Sequence, residues 1–398
     1  MEQLAINGGT PVREKKIYYG RQWIDDADIR AVEDVLRSDF ITCGPKVSEL
    51  ESKLCEYTGA KYAVAVSNGT AALHCACLAA GISEGDEVIT TPLTFAASAN
   101  CVLYCGATPV FADVNSETYN IDPIEIEKKI TKNTKAIIAV DFTGQAVQLN
   151  EIRALCEKYN LVLIEDAAHS IGTNYAGRKV GSIADMTTFS FHPVKTITAG
   201  EGGAILTNDE ALYNKLVLFH THGITHNEEM MEGAPHEGIW YYEQISLGYN
   251  YRMTDFQAAL LISQLKKLES FKERRQEIVS RYDDAFHEIP EIIIQKEIDE
   301  SDTCRHLYII RLNLDRLTCS RKDFFDALSA ENVQPQIHYI PVYWFPYYKR
   351  LGYKKGLCPN AEQIYSSIMS IPLYPKMTDR DVEDVICAVK KNVREYRY

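Results

Sequence analysis

The chain has 398 residues, 46% of them hydrophobic and 24% charged, which is ordinary for a globular protein with a large core and two domains. No apolar run reaches the roughly 18 residues of a membrane span, and the opening MEQLAINGGTPVREKK lacks the basic-then-apolar order of a secretory signal, so a cytoplasmic protein without membrane contact is expected. A formal net charge of −13 excludes a nucleic-acid backbone reader, while a small anionic ligand needs only a local cluster of donors.

Residues 1–20 read as an arm anchored through Ile17, Tyr18 and Tyr19. Asp25 and Asp26 cap a helix reaching about Arg37. SDFITCGPKV is a turn, and Pro45 opens a helix carrying Leu50, Leu54 and Tyr57. From Tyr62 onward, short apolar strands alternate with helices. YAVAV leads through SNGT to the small-residue helix AALHCACLAAG. EVITT precedes a helix from about Thr94 to Tyr104, and TPVFADV follows. KAIIAVDF precedes a helix from Asn150 to Lys158, and LVLIED comes next. Such alternation predicts an α/β fold with a mostly parallel sheet covered on both faces. Residues 226–245 form an excursion of little periodicity, and a long helix or helix pair runs from Asp255 to about Phe286. HLYIIRLNL, a helix from Arg321 to Ala330, VQPQIHYI and terminal helices complete the chain. A large domain over 1–286, with the arm and the connecting helix, and a smaller α+β domain over 287–398 are expected.

Ligands of parallel sheets sit beyond the carboxyl ends of the strands. That rule selects Ser67–Thr70, Thr91–Phe95, Asp166–His169 and Ser190–Lys195. The stretch TTFSFHPVKTITAGEGGAILTN, Thr187 to Asn208, sets Ser190, His192 and a single lysine, Lys195, in a loop between two apolar strands. Asp166 closes LVLIED 29 residues before that lysine. A carboxylate at a strand end can simply cap a turn. Joined to a loop lysine, it is the minimal equipment for pyridoxal phosphate: the acid holds the ring nitrogen protonated, and the amine carries the cofactor as an imine and then shuttles the proton. In SNGTAAL, Gly69 and Thr70 open a helix whose free N–H groups suit a phosphate or an ordinary cap. Phe95 belongs either to the core or on the ring face.

SNGTAAL, TPLTFAASAN, IEDAAHSIG, FSFHPVKTITAGEGGAILTN, LGYNYRMTDFQAAL and IHYIPVY, in this order over nearly the whole chain, resemble the DegT/DnrJ/EryC1/StrS family of pyridoxal-phosphate sugar aminotransferases. The resemblance implies fold type I, the aspartate aminotransferase-like fold. It implies Lys195 as the covalent lysine, Asp166 at the ring nitrogen, and His169 near the ring hydroxyl, where relatives often have Gln. It also implies Gly69, Thr70, Ala71 and Ser190 at the phosphate, Phe95 on the ring, and Asn250 reaching the phosphate of a neighbouring subunit, hence a homodimer with shared sites. Tyr19, Phe40, Ile41, Thr42, His338 and Tyr339 match substrate-side positions. Arg252 would meet a diphosphate or form a salt bridge. LRSDFITCGP, SFHPVK and NYRMTDFQAALLISQLKKL most resemble the PseC branch, which aminates a UDP-linked 4-keto-6-deoxy-N-acetyl-altrosamine in pseudaminic acid biosynthesis. L-Glutamate is the implied donor and ping-pong kinetics the implied pattern. Related enzymes that remove a sugar 3-hydroxyl carry histidine in place of the lysine, so Lys195 disfavours that reaction. A non-catalytic regulator should have lost a member of the Asp166, Lys195 and Thr70 set.

Other features read more plainly. Eleven scattered cysteines are taken as small buried hydrophobes of a reducing compartment. His220, His222 and His226 in HTHGITH lack carboxylate or cysteine partners, so no metal site is expected. WFPYYKRLGYKK, Trp344 to Lys355, reads as an interface or lid, and Lys390, Lys391 and Arg394 as a solvated helix face.

Overall fold

The structure, a computed structural model, describes residues 3–233 and 238–398. Its centre is a seven-stranded sheet of β1 (Tyr62–Val66), β2 (Glu87–Thr90), β3 (Thr108–Phe111), β4 (Thr134–Val140), β5 (Val162–Asp166), β6 (Met186–Ser190) and β7 (Gly203–Thr207). The spatial order is β1-β7-β6-β5-β4-β2-β3, and β7 runs antiparallel to both its neighbours while the other pairings are parallel. The inner strands are apolar on both faces because helices cover both sides, as the β4 run Ala136–Val140, buried throughout, shows. Register sets Asp166 beside Val140 on one side and Thr188 on the other, so the carboxyl ends of β4, β5 and β6 form one rim.

The helices begin where the sequence supplies caps. In α1 (Asp26–Leu36), Asp25 accepts from the N–H groups of Ala27 and Asp28, and the Asp28 carboxylate accepts from the N–H of Asp25. α2 (Pro45–Thr58) opens on proline and closes on Gly59 in the left-handed region. In α3 (Gly69–Ala79), the Asn68 Oδ1 takes the Ala71 N–H at 2.8 Å. The helix α4 (Ala97–Tyr104) starts later than the expected Thr94, because the Thr94 hydroxyl is tied to Ser98 at 2.8 Å and holds residues 94–96 as a loop. The expected long helix is a pair, α5 (Asp255–Leu265) and α6 (Leu268–Phe286). It breaks at Lys267, whose Nζ binds Asp25 at 2.9 Å and Asp28 at 2.5 Å and so ties α1 to the junction.

An antiparallel three-stranded sheet, β8 (Ile292–Ile294), β9 (Tyr308–Leu312) and β10 (Ile368–Ile371), carries a second core with α7 (Arg321–Ala330) and α8 (Asp379–Tyr396). Of VQPQIHYI only Val333 and Gln334 pair as a strand, and they pair with Ile17 and Tyr18 of the arm. Ile17 is thus buried and Tyr18 exposed, and the Glu331 carboxylate accepts the N–H groups of Ala5 and Val12.

WFPYYKRLGYKK is partly packed: Tyr348 is buried, and Tyr348, Tyr353 and the preceding Tyr343 ring Phe111 at 6.0, 5.3 and 5.4 Å, sealing the β3 edge, while Tyr347 and Leu351 are exposed. One expectation is corrected. Lys391 is not a solvated cation: its ammonium binds the buried Glu331 at 2.9 Å. In the 226–245 excursion the described part holds a short 3-10 turn, Glu228–Met230, and the pairing of Ile224–Thr225 with Glu243–Gln244, while 234–237 lie outside the described residues. The cysteines are free, and among the described residues no side-chain cluster could hold a metal.

Candidate active site

A cavity of about 940 Å³ opens at the rim of β4, β5 and β6 and is closed on its far side by residues 336–340. Asp166 enters from the end of β5 and Lys195 from the loop after β6. His169 follows the β5 turn, and the first residues of α3 form the floor at Gly69, Thr70 and Ala71. Gly69 has a steric reason: a Cβ there would stand 2.8 Å from the Ser190 Cβ, so glycine lets the helix N-terminus close on the Ser190 loop. Being first in the helix, the Gly69 and Thr70 N–H groups have no carbonyl four residues back, and they present donors and a positive dipole end to an anion. The Thr70 and Ser190 residues line the same corner.

Asp166 is buried and accepts two hydrogen bonds, from the Ser98 hydroxyl at 2.7 Å and from the Ala168 N–H at 3.2 Å. Burial pushes its carboxyl above the usual range, while Ser98, Ala168 and the Lys195 charge pull the other way. Burial also depresses the Lys195 ammonium to about 8, against the pull of Asp166. An amine so tuned is substantially neutral just above neutrality, as a nucleophile and proton carrier requires. His169 is held below its usual range by burial and then by Lys195 and His338. Its Nε2 meets the Tyr339 hydroxyl at 3.1 Å, and its Nδ1 has no partner. His338, bonded to Ser370 through Nδ1 at 2.8 Å, is pulled down to about 3 by burial.

The structure brings Lys195, Asp166, His169, Gly69, Thr70, Ala71, Ser190, Phe95, Tyr19, His338 and Tyr339 to this one cavity. Phe95 is 63% exposed, so its ring is open to a ligand and is not core. Asn250, Arg252 and Phe40–Thr42 do not line it. Tyr251 does, because the Ser67 N–H binds its carbonyl at 2.7 Å and lays LGYNYRM along the rim with Asn250 exposed. Ile41 and Thr42 join Asp255 and Thr254 at the start of α5. Sequence reasoning missed Ser98 and His306. Ser98 was visible only as the fourth residue after Thr94 in TPLTFAASAN, and His306 sits unmarked before the strand HLYIIRL. Ser98→Ala removes a donor that favours the charged form of Asp166, so we expect about a tenfold fall in kcat and an acid limb of the pH–activity profile displaced upward. An unmoved acid limb would separate Ser98 from the chemistry.

The sheet topology and the acid, amine and helix-terminus trio at its rim define a fold type I pyridoxal-phosphate transferase. The chain belongs to the DegT/DnrJ/EryC1/StrS aminotransferase family, whose sequence model matches residues 22–390. It is 41% identical over 385 residues to the UDP-4-amino-4,6-dideoxy-N-acetyl-beta-L-altrosamine transaminase of Campylobacter jejuni, covering 95% of this chain and 99% of that one. To the spore coat polysaccharide biosynthesis protein SpsC of Bacillus subtilis it is 42% identical, covering 94% and 97%. Helicobacter pylori PseC, an aminotransferase of pseudaminic acid biosynthesis, superposes with a TM-score of 0.88 at 33% identity, over 96% of this chain and 100% of that one. The protein is therefore a sugar aminotransferase, and the family uses pyridoxal phosphate. The cavity fits that group: it offers a phosphate corner where Gly69 lets the α3 N-terminus close on Ser190, an amine, a buried acid and a buried unpartnered imidazole nitrogen.

Proposed function

We propose that the protein transfers the amino group of L-glutamate to C4 of UDP-2-acetamido-2,6-dideoxy-β-L-arabino-hex-4-ulose, giving UDP-4-amino-4,6-dideoxy-N-acetyl-β-L-altrosamine. The observation that carries this reading is the 41% identity to a transaminase of that name along almost the full length of both chains. Pyridoxal phosphate, when bound, supplies the electron sink for the carbon that exchanges its amine. The protein residues then have distinct tasks. The Gly69 and Thr70 amides and the Thr70 and Ser190 hydroxyls would hold the phosphate. Asp166 would hold a proton on the ring nitrogen, Phe95 would cover the ring face, and Lys195 would hold the group and move protons to and from the reacting carbon. His169 would stand at the ring-hydroxyl edge, with Tyr19, His338 and Tyr339 on the sugar side.

Among the described residues no arginine lines the cavity, although both substrates are anionic. This favours a homodimer in which the exposed Asn250 and the half-buried Arg252 of a second copy complete the site. A second reading is amination of a different 4-keto sugar nucleotide, and the 42% identity to SpsC, named for spore coat polysaccharide biosynthesis, is in keeping with a sugar other than altrosamine. A panel of 4-keto sugar nucleotides assayed with glutamate decides between them. We expect kcat/KM for the UDP-linked N-acetylated L-arabino sugar to exceed the others by at least about 100-fold, and a higher value for any other member would overturn the substrate assignment.

A further inference from the structure

We propose that His306 is a positioning residue for amino transfer, acting through His169: Thr143 and Arg275 lock its backbone so that its imidazole stands against that of His169 in the cavity wall. The two ring centroids are 4.5 Å apart, and both rings line the cavity. The proposal rests on the reading of that cavity as the pyridoxal-phosphate site.

The backbone on either side of His306 is held with unusual thoroughness. Its N–H donates to the Thr143 carbonyl at 2.8 Å, and its own carbonyl accepts from Arg275 Nη1 at 3.2 Å. The same guanidinium nitrogen reaches the Arg305 and Leu373 carbonyls, each at 3.1 Å. Arg275 is buried with no ion pair among the described residues, so the cation is spent on three backbone carbonyls. Thr143, fully buried, has φ +64°, a left-handed conformation that a β-branched residue adopts only under constraint. Next to it, a Cβ on Gly144 would fall 2.4 Å from the Cys304 carbonyl oxygen and 2.9 Å from both the His169 oxygen and the His306 nitrogen. Residues 143–144 are thus wedged between the backbones of His169 and His306. Strain and a buried cation are concentrated on fixing these two histidines relative to each other.

The side chain points the same way. His306 is buried, yet its Nδ1 has no hydrogen-bond partner, as is also true of the His169 Nδ1. A residue kept only for packing would do better as phenylalanine, because an unpaired buried nitrogen is unfavourable. His169 is gripped from its other end by the Tyr339 hydroxyl, so Tyr339 and His306 together define the plane of its ring.

His306→Phe keeps the ring volume and removes the nitrogens. In the holoenzyme we expect an unchanged or raised melting temperature, a fall in kcat of at least tenfold, and KM values for both substrates within twofold of the parent. The pH midpoint of the bound cofactor's visible absorbance should move by at least half a unit, and His169→Asn should move it the same way. The double variant should be no slower than His169→Asn alone. A His306→Phe protein with parental kcat and absorbance midpoint would overturn the proposal, as would losses that multiply in the double variant. Failure of the underlying site reading looks different: the parent itself would then take up no pyridoxal phosphate.

Discussion

Lys195→Ala should lower kcat for amino transfer by about 10⁴-fold or more while leaving the protein folded and more heat-stable in the apo form. The loss follows from the two tasks that converge on one nitrogen, holding the cofactor and moving the proton, each worth orders of magnitude. The gain in stability follows from the depressed ammonium. A lysine titrating at about 8 when folded and near its ordinary 10.5 when unfolded binds fewer protons in the native state between those values. Stability of the parent therefore rises with pH across that window, and the cost of the half-buried, desolvated cation is fully present below it. Removing the amine relieves at most about 3 kcal/mol at pH 7, and nothing above about pH 10.5. Thermal melts of apo parent and variant at pH 7 and pH 10.5 measure the difference. A Lys195→Ala protein that still aminates a keto sugar at the parental rate would remove Lys195 from the mechanism.

The architecture was legible because the signals for it are local. Short apolar strands bounded by SNGT, TPLTF, IEDAAH and FSFHPVK placed β1, β2, β5 and β6 and, by the rule for parallel sheets, pointed to their carboxyl ends as the place to look. Lys195 and Asp166 stood out only jointly and with the motifs around them, because a strand-end acid alone can cap a turn and a loop lysine alone is commonly solvated. Ser98 did not stand out. A serine among alanines in a short helix reads as packing, and only the fold carries it under the Asp166 carboxylate. The same is true of Thr143, Arg275 and His306, which meet across more than a hundred residues of sequence and leave no mark on periodicity. WFPYYKRLGYKK shows how composition blurs a mixed face: Tyr348 and Tyr353 turn inward onto Phe111 and Lys355 folds back over Trp344, 3.8 Å from the ring, while Tyr347 stays exposed. Positions 40–42, 250 and 252 owe their roles to resemblance alone, since within one chain they lie outside the cavity.

Asp166→Asn tests the other half of the pair and should lower kcat about 10³-fold, close to 4 kcal/mol of transition-state stabilisation. The substitution is nearly isosteric: with the amide oxygen in the Oδ1 place it still accepts the Ala168 N–H, while the NH₂ in the Oδ2 place donates to the Ser98 hydroxyl oxygen. What it cannot do is oppose a protonated ring nitrogen with a negative charge, and its NH₂ would offer a donor where an acceptor is needed. Lys195 would feel the change as well, because the Asp166 charge partly offsets the depression of its ammonium; the amine of the variant should titrate below that of the parent. Stability should move in the opposite sense to activity. A carboxyl raised above its unfolded value contributes stability below the unfolded pKa and loses it as pH climbs through the folded one. The parent is thus burdened by this group near pH 8 but not near pH 3, and the asparagine protein carries no such burden. Melting curves of the two apoproteins should therefore coincide more closely in acid and separate toward pH 8, with the variant higher. A variant with kcat within tenfold of the parent would show that the ring nitrogen is not served by Asp166, whatever the melting curves do.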